Sequence, residues 1–351
     1  MPLRRREFLK SSAGMLALNS GLPATSNANP SGAAKQFATY QAKRRKELWG
    51  LLGDLPWQHT PGPAKLVRTE KGEGYTLERL VLDLNGIEPV PALLLLPEKR
   101  SRSAGPAPGL LYIHWHGGMY NLGKEQLLVG ADAQPAYAPV CAEKGLVTLA
   151  IDSWCFGERK HEENGRQGEE DAFKLMLWRG RVLWGMMMFD EVRALDYLAS
   201  RPEVDPQRLG ALGMSMGSTK AWWLAALDPR VRLCLDVCCL TDFEELIKIH
   251  NLKGHGIYYY VPSLLEHFQT AQINELIVPR ARLSVNGRQD SLTPPAGVER
   301  VRDYLMPLYR KYGKEEDCRI ELFDCGHIEL PEMRRLILEW MDKYLVTALT
   351  S

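Results

Sequence analysis

The sequence predicts an α/β protein with a mostly parallel sheet and helices on both of its faces. Short apolar runs alternate with longer helical segments from about residue 110 to residue 345. Such alternation requires right-handed crossovers, which build parallel sheets. In addition, every position of the run 146–151 is apolar or β-branched, as expected of a strand buried on both faces.

The composition is that of an ordinary globular protein. The 351 residues are 45% hydrophobic and 25% charged, and 44 basic residues nearly balance 43 acidic ones. These values exclude a disordered chain, a collagen-like repeat and a small disulfide scaffold. The balanced charge also argues against a general nucleic-acid-binding protein, which would need a basic excess.

Residues 1–28 resemble an export signal that is not part of the fold. Arg5 and Arg6 open the run RREFLK, which resembles the twin-arginine pattern, and a weakly apolar stretch and small residues follow. The stretch is too short for a membrane span, which takes about 20 apolar residues. We expect cleavage after Ala28, export by the twin-arginine translocation machinery, and a periplasmic or secreted protein with no stable membrane anchor.

An N-terminal helical extension is expected over residues 29–74, with its helical pattern at 35–52. Two strands at 75–84 and 90–96 then flank a turn at Asn85-Gly86, which is a hairpin pattern. They precede the alternation and predict an antiparallel edge of the sheet.

The remaining elements form one compact domain over residues 75–351, with an insertion at 241–280. Short apolar runs predict strands at 110–114, 146–151, 209–212, 231–237, 282–285 and 320–323. Helical patterns predict helices at 136–144, 171–200 (interrupted by Gly180 and Gly185), 216–227, 296–312 and 331–345.

The chain contains seven cysteines, an odd number, so at least one thiol is unpaired. Cys318 and Cys325 flank a predicted strand and would lie roughly 23 Å apart, too far for a disulfide. We expect mostly buried free cysteines.

The strongest chemical pattern is Gly213-Met214-Ser215-Met216-Gly217, which fits G-x-S-x-G. It follows a predicted strand and opens a predicted helix, the context that this motif requires. The glycines leave room for a sharp turn that exposes the serine, and the helix N-terminus favours developing negative charge. Ser215 is therefore expected to be a nucleophile rather than the serine of an ordinary turn.

A serine nucleophile needs a base, and the base needs a carboxylate to orient it. His327 is the best base, because it follows a glycine just after the last predicted strand. Asp290 follows the preceding predicted strand and is the first choice for the acid. Asp242 is its rival, and Asp324 is too close in sequence to His327.

An oxyanion-binding loop is expected at 114–118, where His114-Trp115-His116-Gly117-Gly118 follows a strand. The Gly117 and Met216 N–H groups would be the donors, and His116 would order the loop. The alternative is that His114 and His116 bind a metal, but no third ligand has a convincing spacing. We expect no metal and no cofactor.

From about residue 75 to residue 345, the chain resembles the α/β-hydrolase superfamily. Within it, the chain is similar to the serine-type branch grouped with dienelactone hydrolases and acetyl xylan esterases. The resemblance depends on five segments: 116–118, 152–159, 213–217, Asn286-Gly287 leading to Asp290, and Gly326-His327. The order Ser215, Asp290, His327 is the one that α/β-hydrolases show. Ser215 departs from the cysteine nucleophile of true dienelactone hydrolases, and Ser218 stands where many relatives carry a second glycine.

The resemblance implies an α/β-hydrolase fold. The run His255-Gly256-Ile257-Tyr258-Tyr259-Tyr260 lies in the insertion at 241–280, where it would form either a lid over the pocket or a helix packed on the sheet edge. It implies a serine esterase that cleaves acyl groups from carbohydrate or small-molecule substrates through an acyl-enzyme on Ser215. Trp154 and Arg159 follow the strand that ends at residue 151, so they would approach the mouth of the site and, with His116, contact substrate. For Trp154, the alternative is a packed anchor of its loop. The alternatives are a peptidase-like serine hydrolase and a non-catalytic binding protein on the same fold.

Overall fold

The computed structural model describes residues 30–98, 105–160 and 164–347, so the predicted export signal at 1–28 lies outside the described residues. The chain divides into two compact units, residues 1–40 and 41–351. The described part of the first unit, residues 30–40, belongs to helix α1 (Pro30–Gly50), and the last turns of this helix belong to the second unit.

A nine-stranded sheet organises the second unit. Its strands are β1 (Lys65–Gly72), β2 (Tyr75–Leu82), β3 (Val90–Pro97), β4 (Ala107–Ile113), β5 (Val147–Ile151), β6 (Val204–Met214), β7 (Val231–Val237), β8 (Ala281–Gly287) and β9 (Cys318–Phe323). The strand order is β1-β2-β3-β5-β4-β6-β7-β8-β9. Strands β1 to β3 pair antiparallel and β3 is antiparallel to β5, whereas all neighbours among β4 to β9 are parallel. The predicted mostly parallel sheet with an antiparallel edge is confirmed.

Helices connect the strands and pack on the sheet. They are α2 (Gln126–Val129), α3 (Ala138–Lys144), α4 (Gly165–Trp178), α5 (Leu183–Ser200), α6 (Met216–Leu227), α7 (Phe243–Lys248), α8 (Leu264–His267), α9 (Thr270–Glu275), α10 (Pro295–Lys311) and α11 (Pro331–Met341). One hydrophobic cluster joins α3 and α11 to the central strands, and its buried members include Cys141, Leu212, Leu235 and Trp340. Each fully buried aliphatic side chain contributes about 1.5–3 kcal/mol to folding.

The N-terminal part of the sheet differs from the prediction. Helix α1 ends at Gly50, and Lys65–Gly72, expected within the helical extension, forms the edge strand β1 beside β2. Most side chains of β1 are exposed, so no alternation of apolar and polar residues marks it as a strand. The sheet therefore begins before residue 75.

The helical segment expected at 171–200 is two helices, α4 and α5. The break lies at Gly180, whose φ of +71° suits glycine. Gly185 instead lies inside α5, where a Cβ would come within 2.0 Å of the Leu52 carbonyl oxygen. Its role is close packing rather than interruption of the helix.

The insertion at 241–280 forms short helices, α7 to α9 and two 3₁₀ turns at Leu252–Gly254 and Ile257–Tyr259. A largely apolar cavity of about 280 Å³ lies within it, between α7 and α8. All seven cysteines are free and buried. Among the described residues, no helix combines the length and the apolar character that a membrane crossing needs.

Candidate active site

Ser215 lies in the sharp turn that joins β6 to α6. Its backbone adopts φ +55° and ψ −120°, a conformation that costs a non-glycine residue about 1–3 kcal/mol. The Ser215 N–H donates to the Val237 carbonyl oxygen at 2.9 Å. A Cβ on Gly213 would lie 2.3 Å from the Gly217 carbonyl carbon, so the turn closes only with glycine there. The strand, turn and helix expected around Ser215 are all present.

The loop after β4 packs directly on this turn. A Cβ on Gly217 would lie 2.1 Å from the Ile113 carbonyl oxygen and 2.9 Å from that of His114. This close backbone contact brings the 114–118 loop beside Ser215. The Met216 N–H belongs to the first turn of α6, where backbone donors have no acceptor within the helix. Gly117 has φ +49°, and among the described residues its N–H makes no hydrogen bond.

Asp290 and His327 form a hydrogen-bonded pair. The Asp290 Oδ2 atom lies 2.7 Å from His327 Nδ1, and Oδ1 accepts the Leu292 N–H at 2.9 Å. The Asp290 side chain is 2% exposed and that of His327 is 26% exposed. A carboxylate that accepts the Nδ1–H leaves Nε2 of a neutral imidazole free to accept a proton.

Backbone contact also holds together the two loops that carry Asp290 and His327. A Cβ on Gly287, the last residue of β8, would lie 2.3 Å from the Gly326 carbonyl oxygen. The Gln289 N–H donates to the Cys325 carbonyl oxygen at 2.9 Å. The loops that carry Asp290 and His327 therefore pack tightly together.

The two rival carboxylates have other partners. Asp242 caps α7 by accepting the Glu245 N–H at 2.9 Å, and it pairs with Arg300 at 2.6 Å. Asp324 accepts a hydrogen bond from the Gln289 side chain at 2.8 Å. Of the three candidates, Asp290 is the carboxylate in contact with His327.

His114 and His116 do not act as a pair. His114 is 1% exposed, donates its Nδ1–H to the Trp115 carbonyl oxygen and accepts the Ser153 N–H at Nε2, both at 3.1 Å. Burial, followed by the charge of Lys220, lowers the pKa of His114 to about 3, so the ring is neutral. His116 instead contacts its own loop and Glu169.

A thiol lies close to Asp290 and His327. Cys238, Asp290 and His327 each place one potential metal ligand within 4.8 Å of the others. The Cys238 thiol donates to the Ile328 carbonyl oxygen at 3.5 Å, and burial and the Asp290 charge raise its pKa well above the ordinary value. Because metals bind the thiolate, these contacts favour the hydrogen-bonded Asp290–His327 pair over a metal centre.

Trp154 and Arg159 do not hold the positions expected of substrate contacts. The Arg159 guanidinium is 2% exposed and forms ion pairs with Glu88 at 2.6 Å and Asp190 at 2.9 Å. It also lies 4.5 Å from the centre of the Trp154 ring, which is itself buried. Ion pairs and packing occupy both side chains, so the described geometry gives no support to the expected substrate contact. His116 is 18% exposed.

Sequence reasoning missed two residues that contact His116. Glu169, on α4, is 3% exposed and its Oε2 atom lies 3.3 Å from His116 Nε2. Tyr258, in the 241–280 insertion, stacks on the His116 ring with centroids 5.5 Å apart. The sequence predicts a lid or a sheet-edge helix at 255–260, whereas nothing in it connects residue 169 to residue 116.

A cavity of about 590 Å³ begins at Gly118, next to the expected oxyanion donor Gly117. Five of its lining residues have side chains that can form hydrogen bonds: Tyr120, Asn121, Lys160, Asn164 and Arg166.

Comparison with known proteins places the chain among hydrolases. A family model described as acetyl xylan esterase (AXE1) matches residues 158–281. A relative from Bacillus subtilis (strain 168), named "Putative hydrolase YtaP", is 43% identical over 307 residues, which cover 87% of this chain and 100% of the relative.

Two solved structures are similar in fold. "Methylesterase BT1017" has a TM-score of 0.68 at 21% identity over 88% of this chain and 64% of its own. A glucuronoyl esterase from Solibacter usitatus has a TM-score of 0.64 at 17% identity over 93% and 95%.

Proposed function

The chain belongs to the family of the Bacillus subtilis hydrolase, within the α/β-hydrolase superfamily, and from this premise we propose that it is an exported serine carboxylic ester hydrolase. The observation that carries the proposal is the combination of a strained serine turn with a hydrogen-bonded acid–base pair at the same edge of the sheet. Parallel strands β6, β8 and β9 end at that edge and lead to Ser215, Asp290 and His327.

In the first step, Ser215 Oγ attacks the ester carbonyl carbon while His327 Nε2 takes its proton. The pair with Asp290 keeps the Nδ1–H on the far side of the ring and stabilises the imidazolium that forms. His327 then gives the proton to the leaving alcohol, and an acyl-enzyme remains on Ser215.

The tetrahedral intermediate carries its negative charge on the former carbonyl oxygen. The Gly117 and Met216 N–H groups are the donors for this oxyanion. The N-terminal end of α6 adds the partial positive charge of the helix dipole. In the second half, His327 deprotonates a water that attacks the acyl carbon, and collapse of the intermediate releases the acid and regenerates Ser215.

The substrate is an acyl ester of a carbohydrate or another small polar alcohol. Two observations support this class: similarity to the acetyl xylan esterase model, and the hydrogen-bonding side chains around the cavity that begins at Gly118. The amide and basic side chains of that cavity suit an alcohol part rich in hydroxyl groups.

The test compares Ser215→Ala with Ser218→Ala in the hydrolysis of p-nitrophenyl acetate. Ser218 is a matched control, because its buried side chain lies three residues away on α6. We expect Ser215→Ala to lose at least about 10³-fold in kcat and all labelling by a fluorophosphonate probe, and Ser218→Ala to retain both. Full activity in Ser215→Ala would refute the mechanism, and a wild-type protein that does not react with the probe would indicate a non-catalytic binding protein.

Export by the twin-arginine route is part of the proposal, supported by the run RREFLK and the small residues at 26–28. Replacement of both Arg5 and Arg6 by Lys is expected to retain the precursor in the cytoplasm. Cell fractionation of the wild type and the variant measures this, and unchanged export would contradict it.

A further inference from the structure

We propose that Glu169 is a positioning residue for the oxyanion-binding loop at 114–118 and that it acts through the imidazole of His116. The inference rests on the proposed function, because it assigns a role to a residue that supports the same site. It concerns how the Gly117 N–H is held in place, and the chain of contacts runs from α4 into the loop after β4.

The contacts form a continuous chain. The Gly118 N–H donates to His116 Nδ1 at 3.0 Å, so Nδ1 must be unprotonated. The proton of the neutral ring then lies on Nε2, which faces Glu169 Oε2 at 3.3 Å. Glu169 thereby selects the tautomer that accepts from Gly118.

This tautomer decides which backbone donors remain free. With Nδ1 as an acceptor, the Gly118 N–H is engaged, and the turn at 116–119 is closed further by the Met119 N–H on the His116 carbonyl oxygen at 2.8 Å. With the proton on Nδ1, two N–H groups would face each other and the turn would open. The position of Gly117, between these two anchored residues, depends on the same choice.

The environment of Glu169 argues that its carboxylate has a role beyond stability. Its side chain is 3% exposed, and among the described residues its Oε1 atom is buried with no hydrogen-bond partner. A buried carboxylate with one unsatisfied oxygen costs stability, so it needs an explanation. Oε2 accepts from both His116 and the Tyr120 hydroxyl, at 3.3 and 3.0 Å, and both donors belong to the segment after β4.

Packing fixes the ring that Glu169 addresses. The His116 ring lies edge-on to Phe156 at 5.0 Å and stacks on Tyr258 at 5.5 Å. The Tyr120 ring fits against the start of α4 because residue 165 is glycine, where a Cβ would lie 2.2 Å from that ring. Because neighbouring side chains hold the His116 ring from several sides, Glu169 controls which nitrogen of this ring carries the proton.

The experiment compares Glu169→Gln with Glu170→Gln. The control makes the same chemical change one residue away, at a side chain that pairs with Arg166 and Lys174 instead. An amide accepts a weaker hydrogen bond than a carboxylate, so the loop loses part of its preference for the productive tautomer. We expect Glu169→Gln to lower kcat about tenfold, a part of the roughly 10²-fold to 10³-fold loss caused by removing an oxyanion donor.

Two further measurements separate positioning from a structural role. KM for the acetyl ester should stay within about twofold, while the inhibition constant of an aryl boronic acid, which forms a tetrahedral adduct on Ser215, should weaken by the same factor as kcat. In a His116→Asn background, the side-chain oxygen can accept the Gly118 N–H without help from Glu169. Glu169→Gln should then have no further effect on kcat.

Several results would overturn the proposal. The first is that Glu169→Gln and Glu170→Gln have equal kinetics. The second is that Glu169→Gln raises KM at constant kcat. The third is that Glu169→Gln lowers kcat by the same factor in the His116→Asn background as in the wild type. If Glu169→Gln does not fold, the comparison of His116→Asn with His116→Gln decides, because Gln places its oxygen away from the Nδ1 position; equal activity of the two refutes the role of Nδ1. Failure of the proposed function itself would differ, since the wild type would then hydrolyse no ester and react with no fluorophosphonate.

Discussion

Asp290→Asn tests the acid of the proposed triad with almost no change in shape. In the wild type, Oδ1 accepts the Leu292 N–H at 2.9 Å and Oδ2 accepts from His327 Nδ1 at 2.7 Å. The amide oxygen of the variant keeps the Leu292 contact, because only an oxygen can accept there. The NH₂ group then faces Nδ1, which forces the proton of His327 onto Nε2 and removes the base.

The expected loss is about 10⁴-fold in kcat, the size found when a triad aspartate becomes asparagine and the histidine takes the wrong tautomer. At 1.36 kcal/mol per factor of ten, this is about 5.4 kcal/mol of transition-state stabilisation. The side chain of Asp290 is 2% exposed, so no water can replace the lost acceptor. The assay is steady-state hydrolysis of p-nitrophenyl acetate, with a melting curve to confirm folding.

Asp242→Asn is the matched control, since Asp242 was the rival acid. It caps α7 and pairs with Arg300, so the variant should lose about 1 kcal/mol of stability or less and keep its kcat. If Asp242→Asn loses as much activity as Asp290→Asn, or if Asp290→Asn keeps a tenth of the wild-type kcat, the assignment of the acid is refuted.

Two further predictions follow from the same region. Gly217→Ala should unfold the protein or lower its free energy of unfolding by more than about 3 kcal/mol in denaturant, because its Cβ would lie 2.1 Å from the Ile113 carbonyl oxygen. Gly326→Ala should be tolerated, since no described atom outside its chain neighbours lies within 4 Å of its Cβ. Equal stability of the two variants would contradict this. The pKa of His114 is lowered from 6.5 to about 3, so below pH 6.5 the unfolded chain binds a proton that the folded chain does not. The free energy of unfolding therefore falls as the pH falls below 6.5, by up to about 1.4 kcal/mol per pH unit. His114→Gln keeps an acceptor for the Ser153 N–H and should flatten this slope between pH 7 and pH 5 in urea unfolding, and an unchanged slope would argue against a neutral His114.

The sequence was most informative where steric necessity leaves a short pattern. The turn at Ser215 requires glycine at 213 and 217, so the motif is visible without a structure. His327 and Asp290 follow strands that end at the same sheet edge, and their contact follows from that topology.

Prediction from the sequence failed where the deciding contact joins residues far apart along the chain or involves the backbone alone. Strand β1 pairs through its main chain and exposes most of its side chains, so its residues carry no pattern of burial. Arg159 looks like a surface residue, because its partners Glu88 and Asp190 lie far along the chain. Glu169 is separated by 53 positions from His116, and no local pattern predicts such a contact.

The loops of the site are held by main-chain contacts at Gly217 and Gly287, and neither contact uses the side chain of Ser215, Asp290 or His327. The geometry of the turn therefore does not depend on which atom residue 215 carries at its γ position. A sulfur installed there by Ser215→Cys would meet the same base and the same backbone donors. The fold thus sets the shape of the site independently of the atom that attacks the substrate. It therefore allows oxygen and sulfur nucleophiles to be compared in the same site.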